Sequence, residues 1–408
     1  MQKIIRTRTC VFAFAICLGN LCMFSRVLSQ EVPEDKKSLL SISEFRPVPK
    51  LKVAATQLSH AKFPVIDVHT HFRFKTKGSV DELKSYLKIM DDNNIALSIS
   101  LDATLGLEDE HLKFLSGADA DRFGVFVHLD FQGAGEADQP ETWACNQPEF
   151  GRLVAAQLKE AKQRGCLGLK FFKQFGLEFR DAQGKLSRID DDRFDPIWQA
   201  CGDLQMPVLI HTADPAAFFD PIDAQNERAE ELLRHPEWSF ADRRFPRKGE
   251  LIAARNRVIA KFPRTVFIGA HVANNPENLA EVSEWLVAYP NLYVDISSRI
   301  GELGRQPFTS RAFFEKFGDR ILFGTDGPWP AARLGYYWRF LESRDEYFPY
   351  SEKQPPPQGL WSIYGIELPD EILRKVYFEN CLAVIPMLKE KFERTQQRWL
   401  EQQKNLQR

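Results

Sequence analysis

The chain has 408 residues, enough for two or three average domains or for one α/β barrel with additions. Its 54 basic residues nearly match its 56 acidic ones, for a net charge of −2, so no nucleic-acid-binding surface is spread over the whole chain. With 44% hydrophobic residues and a mean hydropathy of −0.34 it is neither disordered, collagenous nor a multispanning membrane protein, and seven cysteines are too few for a disulfide scaffold.

Residues 1–29 have the layout of a secretory signal peptide. Lys3, Arg6 and Arg8 precede an apolar run from Cys10 to Phe24, and Ser25-Arg26-Val27-Leu28-Ser29 lead to Gln30. The run is short for a membrane span of about 20 residues, so export with cleavage is expected, to the periplasm or outside the cell, with no stable span afterwards. Cys10, Cys17 and Cys22 leave with this segment; Cys145, Cys166, Cys201 and Cys381 remain and are expected as buried free thiols. Residues 30–60, charged and Pro-containing, read as an extension.

From Phe63 a regular alternation begins. Apolar, β-branched runs at Val65–His69, Ile95–Ser100, Phe123–Leu129, Cys166–Phe172, Pro207–His211, Thr265–Ala270, Asn291–Ile296 and Arg320–Gly324 predict eight strands. Amphipathic stretches between them predict helices over Val80–Met90, Leu107–Ala118, Phe150–Arg164, Arg193–Asp203, Glu250–Phe262, Pro276–Tyr289 and Ser310–Phe317. Strands apolar on both faces alternating with helices indicate parallel βα units, and eight of them fit a (β/α)₈ TIM barrel over residues 61–385. No G-x-G-x-x-G follows any strand, which argues against a dinucleotide fold. Long, aromatic-rich connections follow the fifth strand (Thr212 to Gly249) and the eighth (Pro328 to Pro369), on the face where such barrels build active sites. Over 386–408, Phe392, Trp399 and Leu400 recur near helical spacing and predict a terminal helix.

Side chains alternate along a strand, so His69 and His71 of Asp67-Val68-His69-Thr70-His71 project to one side, a natural half-site for a borderline metal such as zinc. Three later strands also end on polar residues: Val208-Leu209-Ile210-His211, Phe267-Ile268-Gly269-Ala270-His271 and Gly324-Thr325-Asp326. Any one of them has a bland alternative as a helix cap. Half of the chain's eight histidines falling at strand ends does not.

The set resembles the amidohydrolase superfamily, in particular the amidohydrolase-related branch that includes the aminocarboxymuconate-semialdehyde decarboxylase-like enzymes. The resemblance covers roughly Phe63 to Asp326 and is specific for the superfamily, not for a substrate. It implies that His69, His71, His211 and Asp326 hold one divalent metal, zinc first, with manganese, iron or nickel as alternatives. It also implies that His271 donates a proton or polarises the substrate, and that Asp326 accepts a proton from metal-bound water. Lys170 is similar to the carboxylated lysine that bridges two metals in binuclear members; its alternative is an anion-binding lysine, and one metal is preferred. Lys173, Arg228, Arg299 and Arg305 stand near strand ends, where guanidinium and ammonium groups suit a small, anionic substrate.

The expected function is an exported metal-dependent hydrolase of a C–N or C–O bond beside a carbonyl, acting on a small molecule, with no nucleic-acid partner and with room for a homo-oligomer. A metal-dependent, non-oxidative carboxy-lyase or hydratase would use the same site. A deoxyribonuclease-type barrel normally has a glutamate where Lys170 stands, and a histidinol-phosphatase-like phosphoesterase should end on Asp-x-His rather than Gly-Thr-Asp. A non-enzymatic metal-binding barrel would not need both His271 and Asp326 beside the metal.

Overall fold

The apolar, largely β-branched runs form eight parallel strands: β1 (Val65–Thr70), β2 (Ile95–Thr104), β3 (Phe123–His128), β4 (Gly168–Phe171), β5 (Val208–Ile210), β6 (Phe267–Gly269), β7 (Leu292–Asp295) and β8 (Ile321–Leu322). They pair in sequence order in a single eight-stranded sheet. β8 and the turn after it return to β1. Val68 N donates to Phe323 O at 3.0 Å, Asp326 N to His69 O at 2.8 Å, and His71 N to Gly327 O at 2.7 Å. The sheet is thereby a (β/α)₈ barrel, in which neither edge strand is left bare.

The structure, a computed structural model, describes Glu44 and residues 48–406. The chain divides into two units, Met1–Lys52 and Val53–Arg408, and the barrel belongs to the second. The leader expected over 1–29 lies outside the described residues, as does most of the extension. Among the described residues no helix is long and apolar enough to cross a membrane. Cys145, Cys166, Cys201 and Cys381 are buried and unpaired.

The helices are α1 (Val80–Asp92), α2 (Glu108–Ser116), α3 (Phe150–Gln163), α4 (Asp195–Asp203), α5 (Ala229–Arg234), α6 (Lys248–Lys261), α7 (Leu279–Ala288), α8 (Pro307–Phe317), α9 (Ala331–Glu342) and α10 (Lys389–Leu406), among shorter turns. Each buries one face. α1 buries Leu83, Tyr86 and Met90, and starts where the Ser79 hydroxyl accepts from Glu82 N at 3.2 Å. α7 starts three residues after Pro276, because the Asn278 side chain caps it by accepting from Glu281 N. In α10, Phe392 stacks on Phe378 with centroids 5.2 Å apart and joins a cluster with Leu209, Ile268 and Leu322, which seats the terminal helix on the barrel.

Two helices occupy connections expected as loops. α5 lies after β5, and α9 after β8. α9 buries Leu334, Tyr337, Trp338 and Leu341, a helical spacing hidden in the sequence by the Tyr336-Tyr337-Trp338 run beside two prolines. Its position bears on the site. Tyr337 Oη accepts from Ser298 N at 3.0 Å and donates to Thr325 O at 3.3 Å, tying together the turns after β7 and β8.

Candidate metal centre

The site grows out of the strand ends. Asp67, buried in β1, accepts from Thr325 N and His69 N, both at 3.1 Å, and from Thr325 Oγ1 at 2.5 Å. This fixes the end of β1 against the turn that carries Asp326. Burial pushes the Asp67 carboxyl up to about 7, against the pull of those hydrogen bonds.

His69 Nδ1 lies 2.9 Å from both Asp295 Oδ2 and Ser297 Oγ, and His71 Nδ1 lies 2.6 Å from Asp102 Oδ1. A carboxylate can only accept, so both rings carry their proton on Nδ1 and present a bare Nε2. Those two Nε2 atoms face the same oxygen, Asp326 Oδ1, at 3.8 Å and 3.4 Å respectively. Burial opposes the Asp326 charge, but the positive groups around it, Lys75 and Lys170 among them, outweigh it and hold the carboxyl below its ordinary range. Three acceptors therefore point at one another. Such a group is stable around a cation, and carboxylates behind the imidazoles are the usual support of metal-binding histidines. The donor atoms of His69, His71 and Asp326 lie within 4.8 Å of one another, as do those of His69, His271 and Asp295, so either group can hold a metal ion.

His211 follows β5 directly. Its ring centroid is 4.5 Å from that of His271, and its buried Nε2 has no hydrogen-bond partner, with Asp214 Oδ1 the nearest carboxylate at 3.4 Å. Burial lowers its pKa to about 4 despite Asp214, which leaves the ring neutral. His211 belongs to neither three-residue group, although its ring borders the second.

His271 sits in an unusual backbone. From His271 to Asn274 the φ angles are 57°, 57°, 52° and 58°, a left-handed turn of four residues with side chains. Each costs about 1–2 kcal/mol relative to right-handed backbone, so the turn needs outside support. Asp295 Oδ1 accepts from His271 N at 3.0 Å, Asn274 Oδ1 from Thr212 N at 2.9 Å, and Ala273 O from Arg255 Nη1 at 2.5 Å. The His271 ring is buried, and burial lowers its pKa well below the ordinary range. Its Nδ1 donates to Ser297 O at 2.8 Å, so Nε2 is an acceptor. A neutral His271 accepts protons; giving one requires that it first be charged.

Lys170 Nζ is 3.3 Å from His69 Nε2, beside the three-acceptor group, and burial lowers its pKa to about 8. The other cationic candidates separate by their partners. Lys173 is paired with Asp214, Arg228 is buried between Glu231 and Glu302, and Arg305 forks onto Glu227 at 2.7 Å and 3.1 Å. Arg299 differs. It is buried, donates once, from Nη1 to Ser298 O at 2.9 Å, and has no carboxylate partner among the described residues; its Nε has no partner at all.

Sequence reasoning missed Asp102, Asp295, Ser297 and Lys75. Asp295 closes an apolar strand in Tyr293-Val294-Asp295, the same signal that singled out Asp326. Asp102 lies inside the long β2 and has no such mark.

A family model described as "Amidohydrolase" matches residues 66–386, the whole barrel and every residue of the site. The chain belongs to the amidohydrolase family. Among solved structures it is similar to a 2,6-dihydroxybenzoate decarboxylase from Rhizobium, at 16% identity and TM-score 0.47, covering 80% of this chain and 99% of that one. It is also similar to a dihydroxybenzoic acid decarboxylase from a Polaromonas species with bound manganese and an inhibitor, at 17% identity and TM-score 0.45, covering 80% and 97%. A dihydroorotase from Campylobacter jejuni is similar at 14% identity and TM-score 0.43, covering 79% and 82%. No curated protein sequence matches.

Two cavities of this amidohydrolase meet at Lys75 and Asp326. One, about 590 Å³, has Phe74, Phe172 and His128 in its wall beside His71. The other, about 420 Å³, has Arg299, Trp329, Arg333 and Lys353 beside His211 and His271.

Proposed function

We propose that this amidohydrolase is a metal-dependent carboxy-lyase that removes CO₂ from a small carboxylic acid. His69, His71, His211 and Asp326 would hold one divalent cation, zinc first, with manganese, iron or nickel fitting the same nitrogen and oxygen donors. When bound, the cation supplies Lewis-acid stabilisation for an oxygen that gains negative charge.

The observation that carries the reading is the tautomer of His271. Hydrolysis of an amide or ester needs a proton taken from water and another given to the leaving group. His271, neutral and with Nε2 an acceptor, has no proton of its own for a leaving group and would first have to take one from water. Decarboxylation needs a single proton, delivered to carbon. Asp326, ionised in the free protein, takes the proton of an acidic substrate hydroxyl. As CO₂ leaves, the bonding pair stays on carbon and Asp326 returns that proton to it, while solvent reprotonates the oxygen. Arg299, buried without a carboxylate of its own, suits the substrate's acid group. The phenylalanine-walled cavity suits a flat apolar body.

Hydrolysis is the second reading, favoured by the acceptor Nε2 of His271, which can take a proton from water. The two separate in one assay. Protein reconstituted with zinc or manganese is given hydroxylated aromatic acids and lactone acids, with CO₂ release and ring opening followed together. CO₂ release that stops on chelation is the expected result; ring opening without CO₂ would overturn the carboxy-lyase reading in favour of hydrolysis.

A further inference from the structure

We infer that the lip of the site carries a second anion subsite, built from Lys75, Trp329 and Arg333, and that the substrate accordingly bears a second acidic group. The inference rests on the carboxylic-acid reading above and extends it to a diacid.

Both cations lie against one indole. Lys75 Nζ is 3.7 Å and Arg333 Cζ 3.9 Å from the centroid of the Trp329 ring. The ring is itself fixed, because Trp329 Nε1 donates to Thr325 O at 2.8 Å in the turn that carries Asp326. A cation over an aromatic face is favourable, but two on one ring repel each other, and no carboxylate side chain pairs with either among the described residues. Lys75 donates to the main-chain oxygen of Asp326, and the carboxylates of Asp326, Asp67 and Asp102 act on it from beyond ion-pair distance.

The neighbouring walls behave differently. Lys173 and Arg228, which line the same cavity, are each matched by carboxylates. Lys75, Arg299 and Arg333, in the same lining, have no carboxylate within ion-pair distance among the described residues, and neither do Arg234 and Lys353, so basic side chains outnumber their acidic partners here. Unmatched charges of one sign in a cleft raise the local potential for the opposite sign. Arg299 sits deep and takes one acid group; Lys75 and Arg333 sit at the β8 turn and take another. The indole between them holds the two cations beside the turn that carries Asp326. A guanidinium and an ammonium both donate to oxyanions, so a second carboxylate is the fitting group.

The test compares benzoate with isophthalate, binding to the full metal-loaded chain by calorimetry. Isophthalate should bind about tenfold or more tightly, the usual size of a charge-assisted pair. In Arg333→Gln that preference should fall to within about twofold, and Trp329→Leu, which removes the platform, should reduce it as well. Thermal melts of both variants establish that they are folded. Equal affinity for the two acids, no binding of either, or a preference unchanged in a folded Arg333→Gln would overturn the inference. Arg299→Gln separates the two claims. It should weaken both acids alike. If instead it weakens neither while the Arg333-dependent preference persists, the deep carboxylate site falls and the second subsite stands.

Discussion

His71 Nε2 faces Asp326 Oδ1 across 3.4 Å while its Nδ1 gives its proton to Asp102 at 2.6 Å. Two acceptors are thus aimed at each other, and the carboxylate behind the ring keeps them so. This relationship makes Asp102 a support of the metal site. Outer carboxylates of this kind contribute about 10–100-fold in metal affinity. Asp102→Ala should weaken metal binding by that order, measured by competition with a chelator, and wild-type protein should hold one divalent ion per chain by elemental analysis. A wild type with no stoichiometric metal, or a variant with unchanged affinity, would contradict the assignment. Two ions per chain would instead make Lys170 the bridge.

His211 and His271 should part company on mutation. His211→Ala should lose metal and activity together, because its unpartnered Nε2 would be a ligand atom. His271→Ala should keep the metal and, with Asp326 moving the proton of decarboxylation, lose less activity than the about 10²–10⁴-fold that acid–base assistance by His271 in hydrolysis would contribute. Metal analysis beside kcat/KM decides it. Metal lost from His271→Ala and retained in His211→Ala would exchange the two roles.

Arg255 holds the left-handed turn from behind, through its bond to Ala273 O. Arg255→Met would leave that carbonyl buried and unsatisfied, at a cost of about 1–3 kcal/mol. The melting temperature should drop accordingly. Because the turn aims His271, kcat should fall more than KM changes; a lower melting temperature with kinetics intact would limit Arg255 to a structural role.

Acid should destabilise the fold through His111. It is fully buried, its Nε2 meets Ser100 Oγ at 2.8 Å, and burial lowers its pKa from 6.5 to about 4. Above pH 6.5 the imidazole is neutral whether the chain is folded or not, and its contribution is complete. As the pH falls toward 4 the unfolded chain binds a proton that the folded one refuses, and stability is lost, by about 3 kcal/mol at the limit. Thermal melts between pH 7.5 and 4.5 should show a shallower decline for His111→Asn than for wild type. Equal slopes would remove His111 from the account.

Much of this was legible along the chain. The eight apolar runs became the eight strands because a strand buried on both faces must be apolar throughout, and that pattern is local. The histidines at strand ends stood out for the same reason, as polar residues interrupting such runs. Local too was the choice of Asp326, which closes the last of them.

What the chain order could not reveal was which cations and carboxylates would meet. Arg228, Arg299 and Arg305 look alike in sequence, yet Glu231 and Glu302 pair with the first and Glu227 with the third, while among the described residues no carboxylate lies within ion-pair distance of the second. Glu302 lies 74 residues from Arg228, and Asp295 lies 226 from the His69 ring it supports. The closure of the barrel brings such pairs together, and a proton's place on an imidazole depends on the partner it meets there. The sequence by itself determined the fold and the strand-end residues of the site. Tertiary structure decided their tautomers, the left-handed turn under His271, and which positive charges have no carboxylate in ion-pair range among the described residues, since each depends on contacts between strands and turns far apart in the chain.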